Sequence, residues 1–479
     1  MAQNHGNSSP GGHTTRSFHL GPTPLLALHS RVASSQSRLA WIDWMRGLAC
    51  VLMFQTHCYD AWLGGDARNT SFLHWSQRLG TLPAPLFLFL AGISLALVTG
   101  KLIRKDLTPG QITRTMARRG AEIFIWGLLF RVQEYVIAWG WAPWTDLFRV
   151  DVLNVIGLSM ILMALLCGVT LFLTQTPRDS NQVTSASDSH QVTPAPNSHQ
   201  ASALNSHRGR AALQGRVSRS ESQRALAPVV VSAEPETRNP PRHSTLTLVL
   251  ASLAVAALIA LLTPPLYTNW RPTWLPWQIE SYINGCHNLG APQPWLFCIY
   301  PWTAFAFAGL AAGFILFSDW ARERSTSILA AFAVVGAAAI LVAYAFDHSS
   351  IQIYPIYDYW HTSPNFLMMR VGMLLMICFL AYVWCRWILA SLGSWAARFS
   401  PLTQLGQTSL LVYWVHIEFV YGRFSFLPKH AQSIPSATVG LVEIIIFMLI
   451  LSLLRTRIDW RNLAASLRSR QMPEPKAAE

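Results

Sequence analysis

Ten stretches of about 20 mostly apolar residues recur along the chain, at approximately 40–60, 82–103, 120–141, 150–173, 245–263, 295–317, 326–346, 366–390, 403–424 and 436–456. A helix rises about 1.5 Å per residue, so each run is long enough to cross roughly 30 Å of hydrocarbon. Backbone polar groups in hydrocarbon have to bond within their own segment, so the runs predict helices. The expected fold class is an all-α polytopic integral membrane protein with about ten transmembrane helices. Composition agrees, with 52% hydrophobic and only 12% charged residues, about half the charged fraction of an ordinary soluble domain. Twenty tryptophans and 23 phenylalanines supply rings for the two membrane interfaces.

The net charge of +13 does not point to nucleic acid, because the basic residues sit in short segments between apolar runs rather than on one face. KLIRKDLTPGQITRTMARR, after the second run, carries six Lys and Arg, and the tail after the tenth run carries six more. The stretch 174–244 has eight arginines and DWARERS (319–325) has two. On the opposite side, 264–294 holds only Arg271, and 347–365 holds no Lys or Arg. Positive charge gathers on the cytoplasmic side of membrane proteins. Alternating helices then place both termini in the cytoplasm.

Between the runs the composition changes abruptly. Residues 1–38 are rich in Ser, His and Gly and lack the apolar core of a signal peptide, so a disordered cytoplasmic tail is expected there. Residues 174–244 lack apolar periodicity, which predicts a flexible cytoplasmic linker. It divides a four-helix part (39–173) from a six-helix part (245–456), and a basic cytoplasmic tail (457–479) follows. The halves show no self-similarity, against the inverted repeats of many transporters. The Trp- and Pro-rich loop 264–294 is placed at the external interface, as an anchor or as a platform for a sugar or headgroup. The seven cysteines show no CxxC spacing and no histidine at zinc spacing. Most fall within apolar runs; Cys58 and Cys286, near external ends, are candidates for a pair. No metal and no permanently bound cofactor is called for.

DWMRGLACVLMFQTH (43–57) raises the functional question. Eleven residues on a helix advance three turns plus about 20°, so Arg46 and His57 share a face and stand about 16 Å apart. Asp43 lies three residues before Arg46 and Asp60 three after His57, each within contact range. Cys50 is on the same stripe. Charged side chains inside a bilayer cost at least a few kcal/mol and normally face a polar interior, although Asp43 and Arg46 at a helix end also have the option of snorkelling. The third run adds Arg131 and Glu134, and the fourth opens with Asp151 and Asn154 on one face. The ninth holds Tyr413 and His416 on one face, with Glu418 pointing elsewhere. Taken singly, each polar group reads as a helix-interface hydrogen bond. Their number implies a shared polar cavity.

RLAWIDWMRGLACVLMFQTH resembles the first helix of the membrane acyltransferase superfamily, with its arginine, ten residues and histidine. PAPLFLFLAGISLAL is similar to the phenylalanine-rich motif of that superfamily's next helix. VDVLNVIGLS and LGQTSLLVYWVHIEFVYG resemble the branch related to heparan-alpha-glucosaminide N-acetyltransferase, its bacterial members in particular. The resemblance covers about 38–173 and 295–456. It implies acyl transfer from cytoplasmic acyl-CoA, acetyl-CoA foremost, to an acceptor reached from the other side, often a sugar or glycan, with a histidine as base or acyl carrier. His57 matches the superfamily's first-helix histidine. In the heparan enzyme the critical histidine lies in the first external loop, where this chain has His74, and the choice between the two stays open. Where bacterial relatives carry a histidine just before the Ala-Pro pair, this chain reads RLGTLPAP.

The expected catalytic group is therefore His57, Asp60 and His74, with Asp60 fixing the tautomer of the His57 imidazole. Asp43, Arg46, Arg131, Glu134, Asp151, Asn154, Tyr413, His416 and Glu418 are the expected binding groups for acyl-CoA and acceptor. The expected partners are membrane lipid, acyl-CoA and a sugar or glycan, and a homodimer is compatible with the sequence. The resemblance places the protein in a bacterial inner membrane. The competing readings are a multi-pass transporter or flippase of a sugar or lipid, and a non-catalytic membrane scaffold.

Overall fold

The computed structural model describes residues 40–140, 142–174, 242–285, 297–355, 362–391 and 399–458. Its main helices are α1 (Ala40–Trp62), α2 (Ser71–Gly80), α3 (Pro83–Arg104), α4 (Pro109–Ile137), α5 (Val152–Thr174), α6 (Arg242–Asn269) and α7 (Trp277–Asn284). They continue with α8 (Ile299–Leu316), α9 (Ser325–Asp347), α10 (Pro364–Val383), α11 (Pro401–Gln407), α12 (Ser409–Val420) and α13 (Ile434–Arg457). Among the described residues there is no strand, only an isolated bridge between Leu63 and Gln432.

Seven helices among the described residues are long and apolar enough to cross a membrane, namely α3, α5, α6, α8, α9, α10 and α13. The chain is an integral membrane protein. The other three expected spans depart from that standard. α1 carries Asp43, Arg46 and Asp60, and α4 carries charges along its whole length. The run 403–424 is broken into α11 and α12 at Thr408, whose φ of −119° and ψ of 23° are not helical. The break is bridged by side chains: Thr408 Oγ1 donates to Ser452 Oγ on α13 at 2.6 Å, and Gln404 Nε2 reaches the same hydroxyl at 2.9 Å. Helix interruptions inside a membrane are tolerated where neighbouring polar groups take up the freed backbone.

Two boundaries also differ from the sequence expectation. α4 begins eleven residues before the expected 120, because Thr108 and Gln111 form a reciprocal capping box and Pro109 occupies the first turn. The basic segment ITRTMARR is therefore helix, not loop. α6 runs through Pro264 and Pro265 to Asn269, so the loop expected from 264 starts later and itself contains α7. The expected N-terminal tail, the bulk of the linker (175–241), most of the C-terminal tail (459–479) and Cys286 lie outside the described residues; Cys58 is buried.

α1 is the central element. Met45, Ala49, Cys50, Phe54, Cys58 and Trp62 are fully buried, and α2, α3, α10, α11, α12 and α13 pack around them. Of its charged residues Asp43 is buried among them, while Arg46 and Asp60, like His57, keep part of their surface open. By contrast α6, α9 and α13 expose Leu250, Leu258, Val334, Leu341, Val439 and Ile446, an apolar outer surface suited to acyl chains.

Close backbone approach sets α1 against α11. A Cβ on Gly47 would fall 1.8 Å from the Leu402 carbonyl oxygen, and one on Gly406 would fall 1.8 Å from that of Asp43. Both obstacles are backbone and cannot rotate away. Gly406→Ala is expected to destabilise the protein by about 1–3 kcal/mol through overpacking, read as a lower Tm in detergent. Gly65→Ala, where nothing lies within 4 Å, should leave the Tm unchanged.

Candidate functional site

The α1 stripe divides into two ends. At the first, the Arg46 guanidinium donates to Asp43 Oδ1 at 2.8 Å and to Ser94 Oγ of α3 at 2.6 Å. Arg46 is thus shared between two helices, and Asp43 is largely buried with it. Cys50, a turn further on, is sealed in the core.

At the other end, His57 does not use the carboxylate beside it. Its Nδ1 lies 2.9 Å from His416 Nε2 on α12, with the two rings nearly parallel at 8°. His57 is half-buried, whereas His416 is fully buried. The His416 ring rests against Phe54 and Tyr413, and its Nδ1 is 3.0 Å from the Val412 carbonyl.

Asp60 is engaged elsewhere. It accepts from the Tyr421 hydroxyl at 2.8 Å and from Arg68 at 3.2 Å. Arg68 also donates to the Asp60 carbonyl and lies 2.9 Å from His430 Nδ1. The expected contact between Asp60 and His57 is replaced because the helical turn Gly65–Arg68 folds back and brings a guanidinium to the carboxylate. A charge-assisted bond of that kind outcompetes a neutral imidazole. Tyr421, whose ring stands edge-on to His57, is the intermediary between them.

A second polar group lies one turn along α12. Asp151 precedes α5, and its Oδ1 caps the helix by accepting the Leu153 N–H at 2.8 Å. Its Oδ2 accepts from Arg131 of α4 and from the Tyr413 hydroxyl, each at 2.8 Å. Arg131 also pairs with Glu134. Asn154 accepts the Asp151 N–H and donates to the Phe124 carbonyl. Gly127 makes room for it, since a Cβ there would lie 2.6 Å from Asn154 Nδ2. Two carboxylates share one guanidinium, so loss of Arg131 would leave both without a countercharge.

A cavity of about 380 Å³ is lined by Phe124, Leu128, Val132, Leu147, Phe148 and Tyr282. Its wall is apolar apart from the Tyr282 hydroxyl, which burial pushes up to about 12. That hydroxyl is a neutral hydrogen-bond donor at neutral pH.

The structure thus brings together His57, His416, Tyr413, Asp151, Arg131, Glu134 and Asn154. Asp43 and Arg46 stand at the far end of α1. Glu418 points away from His416 and accepts from Gln133, which also accepts the Trp414 indole N–H. His74 is exposed on α2, and its side chain has no hydrogen-bond partner among the described residues. Sequence reasoning missed Ser94, Arg68, Gln133 and Tyr421. Gln133 alone had a signal, as an amide flanked by Arg131 and Glu134 in the second half of α4.

Residues 38–175 match the family described as Heparan-alpha-glucosaminide N-acetyltransferase, catalytic. That segment runs from α1 to the end of α5 and contains His57, His74, Arg131 and Asp151, but not Tyr413 or His416. No curated protein matches the chain.

Asp151→Asn is expected to cost about 1–3 kcal/mol, because it keeps the shape while removing the better buried of the two carboxylates paired with Arg131, Glu134 remaining. Thermal unfolding in detergent reads this. Asn154→Ala should fall less than Asp151→Asn, since it removes neutral bonds only.

Proposed function

From its relation to the heparan-alpha-glucosaminide N-acetyltransferase family over residues 38–175, we propose that this chain is an integral-membrane acyltransferase. It moves an acyl group, acetyl foremost, from acyl-CoA to a hydroxyl or amine of a sugar or glycan acceptor. The observation that carries this reading is His57, a half-buried imidazole inside the matched segment, held by His416, which lies one turn of α12 from Tyr413, the hydroxyl bound to Asp151.

The chemistry needs little else. His57 takes the proton of the acceptor hydroxyl, and the acceptor oxygen attacks the thioester carbonyl carbon. The tetrahedral species collapses with cleavage of the C–S bond, and the proton passes to the departing CoA sulfur. General-base catalysis of this kind contributes typically about 10²–10⁴-fold, and imidazole titrates in the useful range. Arg131, beside the Tyr413 hydroxyl that donates to Asp151, would supply the N–H donors to an oxyanion or an acceptor hydroxyl.

The donor enters from the side of Arg46 and the basic first half of α4. Arg114, Arg118 and Arg119 attract the CoA phosphates, and Arg46 meets the pantetheine arm. This places the beginning of α1 and the end of α13 at the cytoplasmic face, with α1, α4 and the α11–α12 pair completing ten spans. The acceptor arrives at the other end, where the cavity walled by Phe124, Phe148 and Tyr282 offers aromatic faces to a sugar.

The test is transfer from labelled acetyl-CoA to a mixed sugar and lipid-sugar extract by purified protein. His57→Ala is expected to lose at least about 100-fold in kcat, and His74→Ala to remain within a few-fold of the parent. A dead His74→Ala with an active His57→Ala would move the base to α2. No release of CoA, together with substrate uptake by vesicles containing the protein, would establish a transporter instead.

A further inference from the structure

The His57–His416 contact has a direction fixed by atoms outside the pair. The Val412 carbonyl can only accept, so His416 Nδ1, 3.0 Å away, carries a hydrogen. The neutral His416 ring then has its lone pair on Nε2. That nitrogen lies 2.9 Å from His57 Nδ1, which in turn must donate. The remaining lone pair of His57 sits on Nε2, and no side chain among the described residues hydrogen-bonds to that atom. From this geometry we infer that His416 is a positioning residue: through the Val412 carbonyl it holds His57 as the Nδ1–H tautomer and leaves Nε2 as the reacting nitrogen. The inference deepens the acyltransferase reading and rests on it for the word "reacting"; the tautomer itself does not.

The alternative is a doubly protonated His416 donating from both nitrogens, which would reverse His57. Burial opposes it. His416 is fully enclosed, its ring contacts being Phe54, Tyr413 and His57. The carboxylates facing the pair are already occupied, Asp60 by Arg68 and Tyr421, and Asp151 by Arg131 and Tyr413. An imidazolium there would lack a carboxylate partner within hydrogen-bond distance, and a buried charge without one is strongly disfavoured. A neutral ring performs the orienting task that a carboxylate performs in a serine-protease triad. It does so without placing another anion in a dry interior. Only His57, the half-buried member, is open to substrate.

A solvated neutral histidine side chain prefers its proton on Nε2, so the assignment has a spectroscopic signature. Full-length protein labelled with ¹⁵N-histidine in nanodiscs, with the His57 signals identified by their loss in His57→Gln, should show His57 and His416 both protonated at Nδ1. In His416→Phe, His57 should revert to Nε2–H. With labelled acetyl-CoA, that variant should lose about 10- to 100-fold in kcat with KM for the donor held within about twofold, and His416→Gln, whose amide oxygen can accept, should recover part of the loss. A wild-type His57 protonated at Nε2 would overturn the inference, whether or not any variant folds. So would a tautomer or kcat unchanged in His416→Phe. If the protein transfers no acyl group while the Nδ1–H tautomer is found, the functional reading fails and the positioning assignment stands.

Discussion

No water is available inside a bilayer to pair with a buried charge, and the interior of this bundle is organised by that constraint. Asp151 meets it by accepting from three directions: the α5 backbone, Arg131 of α4 and Tyr413 of α12. The last two fix α4 and α12 relative to α5. The same carboxylate therefore caps a helix, neutralises an arginine and holds α12 in the orientation that presents His416. Isolated surface ion pairs contribute little. A buried, multiply bonded one has large consequences when broken, which is why the polar core and the architecture are not separable here.

The seven apolar spans were legible because their hydropathy is a property of composition, and each observed helix lies close to its run. α1 was legible as a helix, and its stripe of Asp43, Arg46 and His57 does face protein. What escaped depended on local chemistry or on partners distant in sequence. The early start of α4 comes from a capping box inside a stretch whose charge suggested a loop. The break at Thr408 depends on Ser452 of α13, which the sequence of the run itself does not contain. The Asp60 carboxylate was assigned to its neighbour at i−3, but a guanidinium eight residues on claims it. The His57–His416 contact was not foreseen as a pair, although both residues were singled out, since helix spacing says which face a side chain occupies and not which helix it meets.

The family match and the site do not coincide. The matched segment ends with α5, while His416 and Tyr413 belong to α12. His57, Arg131 and Asp151 come from the matched part; the groups that orient them come from beyond it. The C-terminal end of α1 is joined to the loop before α13 by backbone bonds such as Gly64 N–H to Gln432 O at 2.9 Å. This clamp keeps α1 and α12 in register at the level of the two imidazoles.

His57 and His416 are separated by 359 residues, and this has a consequence for biogenesis. A ribosome adding ~5–20 residues per second needs about 20 to 70 s to travel from one to the other. Throughout that interval α1 resides in or near the translocation channel with its imidazole, arginine and two aspartates lacking the late helices that will enclose them. A newly inserted α1 is thus a poor lipid-facing segment that waits for the last third of the chain, and insertion factors that shelter polar helices would have their longest task here.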